Sequence, residues 1–292
     1  MNRRTRVARF LAVVAAIAAV SVGVSSARGD EPQESDDDPY ADPPAPAPTE
    51  KIKPMAPSRK VVEKDGMVRL PGGAFTVGSN DPKAPSNERP SHAVSVAPFW
   101  IDRTEVTVAA YRTCVVDRFC VVPTAISASC TYSAGDPNLP VSCVRWKEAD
   151  TYCRAVGKRL PSELEWEFAA RGTEPVRYPW GGWSSSCAHA VTLKSDGTFR
   201  SCGGERPLPV GSKALGATPF GVFDLAGNVE EWVADFYTEQ RSAVPSPAVG
   251  ASHVLRGGGW LSTPSTSRTT SRNWGSALEA GPNVGFRCAR GV

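Results

Sequence analysis

The clearest period along the chain is helical. From Trp146, the apolar positions Trp146, Ala149, Tyr152, Cys153 and Val156 recur at three- and four-residue spacing, and Gly157 follows the last of them. That stripe predicts an amphipathic helix stopped by a glycine able to take φ > 0. A second helix is predicted beyond Lys158-Arg159-Leu160-Pro161, where Ser162 and Glu165 stand at capping-box spacing. Leu164 and Phe168 share a face there, and Gly172 closes the run after Arg171. A third helix takes Thr104 or Thr107 as its N-cap and runs through Ala110, Tyr111 and Cys114. Alternation marks strands. Val68 to Gly78 reads as two short strands joined at Pro71-Gly72-Gly73, and His92 to Ile101 reads as another. Strand-like segments return at Val254–Trp260 and Gly285–Ala289 around a Ser/Thr-rich middle. The remainder is loop, and 26 glycines with 26 prolines predict sparse regular structure.

One stretch follows neither period. In Gly221 to Tyr237, the side chains of Phe223, Leu225, Val229, Trp232, Val233 and Phe236 are interleaved with Asp224, Glu230 and Glu231. They bury together only if the chain doubles back at Ala226-Gly227-Asn228, where Gly and Asn tolerate φ > 0. Two readings remain open on the residues alone. One is a tight turn with a solvated acidic face. The other turns main-chain carbonyls inward beside the carboxylates, an oxygen-rich setting that suits a hard cation.

Composition changes the picture at the N-terminus. The chain has 292 residues, enough for one large domain or two small ones. Residues 1–27 carry Arg3, Arg4, Arg6 and Arg9, then an apolar run from Phe10 to Val24 and small residues at Ser25 and Ala27, which reads as an export signal cleaved after Ala27. The run is too short for a comfortable membrane span. Arg3-Arg4 resembles a twin-arginine signal, but Arg6 breaks the apolar pattern expected after the pair. Residues 28–65 are rich in Asp, Pro and Ala and poor in large apolar residues, which predicts a disordered tether before an ordered domain at 66–292. The formal charge of +3 rests on the four arginines of the signal; beyond it, 29 basic residues face 30 acidic ones. Bulk charge therefore gives no reason to expect nucleic-acid binding. The eight cysteines are an even number in a chain read as exported, with no C-x-x-C spacing, which favours disulfides over metal thiolates. Cys187 with Cys202 would close a short loop, and spacing leaves the other pairs open.

The ordered landmarks resemble the formylglycine-generating enzyme, or sulfatase-modifying factor, family. They are Gly72-Gly-Ala-Phe-Thr-Val-Gly78, Ile101-Asp-Arg-Thr-Glu-Val-Thr107, and Gly157-Lys-Arg-Leu-Pro-Ser-Glu-Leu-Glu-Trp-Glu167. Then follow Tyr178-Pro-Trp-Gly181, Leu225-Ala-Gly-Asn-Val-Glu-Glu-Trp232, Arg256-Gly-Gly258 and Gly285-Phe-Arg-Cys288. The resemblance implies a single α+β domain of C-type lectin-like fold, low in regular secondary structure, with bound calcium. It places calcium ligands at Asp224, Gly227, Val229 and Glu231, and a disulfide between Cys153 and Cys288. A second calcium loop of the family falls near Cys187 to Thr198, where His189 replaces the expected asparagine and the chain is shorter, so no ligands are assigned there.

The family's oxidases convert a substrate cysteine to formylglycine with O₂ and a copper ion held by two thiolates. Here the thiolate positions are Ser262 and Ser267, and the serine of the oxygen pocket is Gly259. Hydroxyls do not replace thiolates for Cu(I), so copper is not expected and no catalytic residue is assigned. A serine nucleophile would need a base, and the chain has only His92, His189 and His253. His253 reads as a solvated strand-edge residue. Glu163, Glu165 and Glu167 read as ordinary charges at a helix N-terminus, and Trp146, Trp166, Trp232, Trp260 and Trp274 as packing. Two functions follow as expectations. The first is an exported, calcium-stabilised binding or structural module using the groove from Gly259 to Asn273 for a peptide, glycan or partner protein. The second is a formylglycine-generating oxidase with a different copper ligation.

Overall fold

Capping chemistry sets the helices where the sequence places them. The computed structural model describes residues 61–124, 127–182, 184–196, 200–239 and 250–292. The expected signal at 1–27, and the expected tether as far as residue 60, lie outside the described residues. Helix α1 (Val108–Val116) starts at Thr107, whose hydroxyl accepts from Ala110 N, so Thr107 and not Thr104 is the cap. In α2 (Trp146–Ala155), Glu148 reaches back to Arg145 N at 2.7 Å. Helix α3 (Glu163–Arg171) carries the full capping box between Ser162 and Glu165, and ends at Gly172 with φ 62°. Its Trp166 and Phe168 are fully buried, contributing about 2–3 kcal/mol each by removal from water.

Strands β1 (Glu63–Lys64), β2 (Met67–Leu70), β5 (Phe99–Asp102) and β10 (Ala289–Gly291) form an antiparallel sheet in the order β1-β2-β5-β10. β1 thus lies inside the stretch expected as tether. β3 (Gly73–Val77) pairs only with β4 (His92–Val96). The run read as one strand from His92 to Ile101 is therefore two, divided at Ala97-Pro98 and assigned to separate sheets. Proline has no N–H to continue a ladder. The third sheet has the order β8-β7-β6-β9, from β8 (Arg272–Ser276), β7 (Ser252–Arg256), β6 (Glu230–Phe236) and β9 (Val284–Phe286), with β6 and β9 parallel. Among the described residues, three helices, ten short strands and long loops make a mixed α+β domain.

Among the described residues two large apolar clusters and a smaller one around Tyr178 and Trp180 fill it. Of the large ones, one gathers β2, β3 and β5 against Trp166 and Phe168; the other packs α1 and α2 on Phe286, with Tyr111 stacked on Tyr152 at 5.5 Å between ring centres. Four disulfides cross-link the shell: Cys114–Cys120, Cys130–Cys143, Cys153–Cys288 and Cys187–Cys202. Cys153–Cys288 ties α2 to the link between β9 and β10, as the resemblance implied, and Cys187–Cys202 closes the short loop. No described helix is long and apolar enough to cross a membrane.

Candidate functional site

The segment from Arg256 to Arg272 leaves β7, turns, and re-enters the third sheet as β8. Its turn is glycine by necessity. Gly257 (φ 87°) and Gly258 (φ 61°) lie in the left-handed region, and a Cβ on Gly257 would stand 2.9 Å from Trp166. Ser262 and Ser267 converge on Gly258, where an added Cβ would press on both side chains. The two positions that the resemblance marks for copper thiolates are thus neighbours across this turn, occupied by hydroxyls. Ser262 Oγ accepts from Gly259 N at 2.9 Å and from Asn283 Nδ2 at 3.2 Å. Ser267 Oγ donates to Thr263 O at 3.1 Å. Neither serine has a histidine partner. Position 259, expected from the resemblance to be part of an oxygen pocket, is filled from outside: a Cβ there would collide with Asn283 Oδ1. That oxygen accepts from Leu261 N at 2.9 Å. All eight cysteines are in disulfides and none is free.

Buried charge pairs hold this segment. Arg256, with no solvent exposure, donates to Glu167 Oε2 at 2.7 Å and to the carbonyls of Thr269, Thr270 and Ser271. Arg268 grips both oxygens of Glu88 at 2.8 and 2.9 Å, and Arg272 both oxygens of Glu163 at 2.6 and 3.0 Å. Bidentate guanidinium–carboxylate pairs fix orientation as well as charge. Glu163 and Glu167 are therefore buried anchors and not ordinary helix-terminal charges. Glu165 pairs with Arg159 through both oxygens. His253 also departs from expectation. It is 3% exposed, stacked between Trp146 and Phe236 at 3.8 and 4.3 Å, and burial lowers its imidazole pKa. The tryptophans largely pack as expected, but Trp274 is half exposed and Trp260 forms one wall of a groove.

The stretch from Gly221 to Tyr237 doubles back as its composition requires, with φ 85° at Gly227 and 64° at Asn228. Asp224, Glu230 and Glu231 are all buried, which removes the reading of a solvated acidic face. Glu231 lies at the centre of the third sheet, between Arg256 and Gly285. It accepts from Trp166 Nε1 at 2.8 Å and from Arg287 Nε and Nη2 at 2.7 and 2.6 Å. Asp224 Oδ2 accepts from Gly211 N at 2.6 Å. Glu105 accepts from Asn228 Nδ2 through Oε1, while its buried Oε2 has no hydrogen-bond partner. Burial pushes the Glu105 carboxyl well up, reinforced by Asp224 and opposed by Arg287. Burial likewise raises Asp224 against the Gly211 N–H. Glu230 is pushed up to about 7 by burial, against its hydrogen bond from Asn273. Three buried carboxyl groups thus face one guanidinium, Arg287, with Glu105 and Asp224 bearing directly on each other. That excess of negative oxygen fits a hard cation. Glu231 could join such an ion only by sharing its carboxylate with Arg287. No cluster of three His, Cys, Asp or Glu side chains suited to a metal exists among the described residues, so main-chain carbonyls would have to complete the ligand set.

Beside Ser262 opens a groove of about 830 Å³ between the loop closed by Cys130–Cys143 and the loop closed by Cys187–Cys202. Trp260, Leu261 and Leu193 supply apolar wall, and Lys194, Arg200, Glu205 and Arg206 stand around it.

Comparison with known proteins accounts for the ordered landmarks. A family model described as "Sulfatase-modifying factor enzyme 1-like domain" matches residues 53–292. The chain belongs to this family. "Formylglycine-generating enzyme" of Streptomyces coelicolor is 32% identical over 308 residues, covering 84% of this chain and 95% of that protein. "Inactive C-alpha-formylglycine-generating enzyme 2" of Mus musculus is 30% identical, covering 76% and 85%. Among solved structures, that of PvdO from Pseudomonas aeruginosa superposes with a TM-score of 0.67 at 28% identity, covering 80% of this chain and 98% of that one. In this sulfatase-modifying factor domain, sequence reasoning located Gly259, Ser262 and Ser267. It missed Asn283, which reaches the turn from a neighbouring loop, and the arginine anchors, whose partners lie up to 180 residues away. A signal for the anchors did exist: arginines at 268 and 272 inside a Ser/Thr-rich run, with glutamates spaced along α3.

Proposed function

We propose that this chain is an exported sulfatase-modifying factor domain that binds a partner without catalysing formylglycine formation. One observation carries the reading: the two copper-thiolate positions are adjacent hydroxyls, each engaged in the turn, while every cysteine is spent in a disulfide. Cu(I) selects thiolates, and Asn283 fills the space where the oxygen-pocket serine would stand. The relative named as inactive in Mus musculus supports a loss of chemistry with retention of fold. In this reading the groove beside Ser262 holds a peptide, glycan or partner protein. Calcium steadies the domain, held by Asp224 and the carbonyls of Gly227 and Val229, with Glu231 shared with Arg287. Bound there, the ion would supply the positive charge that Glu105, Asp224 and Glu231 lack. Export is supported by the four disulfides, which persist in oxidising compartments, and by the signal-like residues 1–27.

The formylglycine-generating oxidase remains the second reading, favoured by the 32% identity to a protein of that name. Incubation of the disulfide-intact protein with copper, O₂ and a Cys-x-Pro-x-Arg peptide, followed by mass analysis for the aldehyde, separates the two. The binding reading expects the peptide unchanged; copper-dependent aldehyde would overturn it.

A further inference from the structure

We propose that the groove beside Ser262 recognises an acidic peptide, an aliphatic side chain resting on Trp260, Leu261 and Leu193 and flanking carboxylates meeting Lys194, Arg200 and Arg206. This rests on the reading of the domain as a binding module and adds the chemistry of what it binds.

Charge complementarity carries the choice. Beyond residue 27 the chain is nearly neutral, with 29 basic and 30 acidic residues, yet the groove gathers three cations against the single carboxylate of Glu205. Buried arginines of this domain are neutralised by glutamates, as Arg256, Arg268, Arg272 and Arg287 show. Lys194, Arg200 and Arg206 are exposed and make no ion pair among the described residues.

The backbone that carries Lys194 and Arg200 is also held in place. Leu193 N donates to Ser262 O at 2.8 Å, fastening their loop to the turn that carries Ser262. Lys194 N donates to Arg200 O at 2.8 Å, Leu193 bridges Ser201, and Cys202 N donates to Thr192 O at 2.8 Å. The Cys187–Cys202 disulfide closes the loop from below. A binding site whose backbone is already fixed loses less freedom when occupied.

The walls favour a peptide over a sugar acid. Leu193 and Leu261 offer aliphatic surface, and Leu261 is 45% exposed. Trp260 is 6% exposed with its indole N–H committed to Pro282 O at 3.0 Å, so it contributes only an apolar edge beside Leu261. The 830 Å³ volume falls in the range of ligand pockets, about 300–1,000 Å³. The geometry therefore matches an extended segment with an aliphatic residue flanked by acidic ones.

The test is fluorescence polarisation of a labelled Glu-Asp-Leu-Asp-Glu pentapeptide with the full mature chain, against Gln-Asn-Leu-Asn-Gln and an oligogalacturonate of equal charge. The acidic peptide is expected to bind at least about tenfold tighter than the neutral one, since each partly exposed ion pair is worth a few-fold, and to weaken in high salt. The triple substitution Lys194→Gln, Arg200→Gln, Arg206→Gln is expected to abolish that preference while the melting temperature stays put, because all three side chains are exposed. Equal binding of the two peptides, an unaffected triple variant, or binding of the oligogalacturonate in preference to the peptide would overturn the proposal. Aldehyde formation on a Cys-x-Pro-x-Arg peptide would instead overturn the non-catalytic reading, whatever the acidic peptide does.

Discussion

Replacing Glu167 by Gln tests whether buried charge holds the segment from Arg256 to Arg272 in place. The carboxylate has no solvent exposure and accepts from Gly78 N at 2.9 Å, Arg171 Nη1 at 3.2 Å and Arg256 Nη2 at 2.7 Å. Glutamine keeps the shape and can still accept from Gly78, but it removes the charge facing Arg256. Breaking a buried pair costs about 3–5 kcal/mol. The lower end applies here, because Glu163 stays 3.7 Å from Arg256 Nε and three carbonyls still accept from that guanidinium. About 3 kcal/mol in a domain of this size lowers Tm by roughly 6–12 °C. Arg256 is also the clasp on the carbonyls of Thr269 to Ser271, so amide exchange across 262–271 should accelerate. Glu165→Gln is the control. Its partner Arg159 is 43% exposed, and such pairs contribute less than about 1 kcal/mol. A Glu167→Gln protein that melts within about 2 °C of wild type, or melts early with unchanged exchange at 262–271, would refute the reasoning.

Other outcomes follow from the same geometry. Chelation by EDTA is expected to lower Tm by about 5 °C or more, as saturating ligand binding is worth about 2–3 kcal/mol, and Asp224→Asn should abolish that response; an EDTA-insensitive wild type contradicts the calcium reading. Removing the Cys153–Cys288 bridge, which spans 135 residues, is expected to cost about 4–5 kcal/mol on the loop-entropy account, read as a fall in urea midpoint with a steeper slope, since the uncrosslinked unfolded chain exposes more surface. His253 is held neutral by burial, its folded pKa lying below the unfolded value of about 6.5. The unfolded chain therefore binds the extra proton, and the stability conferred is full above about pH 6.5 and lost as pH falls through the window beneath it. His253→Phe should flatten the melting curve against pH between about 7.5 and 5.5; parallel curves for the two proteins would count against it.

Local chemistry was legible in the sequence, and long-range pairing was not. Ser162 with Glu165, the glycine stop at Gly172 and the stripe from Trp146 to Val156 specify helices through contacts within a turn or two, so α2 and α3 could be read directly. The reversal at Gly227-Asn228 was likewise legible, because burying Leu225 and Trp232 together demands positive φ. By contrast, His92 to Ile101 keeps one alternation while serving two sheets; Pro98 marks the break locally, but only the tertiary pairing of β4 with β3 and β5 with β2 assigns its two halves to different sheets. Glu163 and Glu167 looked like helix-terminal charges because their arginines are about 90 to 110 residues downstream. His253 was misjudged because the rings that enclose it, Trp146 and Phe236, come from α2 and β6. At the site itself, Ser262, Ser267 and Gly259 were legible as departures from the family pattern. Asn283 was not, since its arrival at Gly259 depends on how the loop before β9 packs.

The central claim is that the soft-metal pocket has been lost while its scaffold persists. Competition of the disulfide-intact protein against a chromophoric Cu(I) chelator measures this directly. The account predicts no copper withdrawn from the chelator by wild type, and withdrawal by the Ser262→Cys, Ser267→Cys double variant kept reduced at those two positions. Stoichiometric capture of Cu(I) by the wild-type protein, with its eight cysteines still paired, would contradict it.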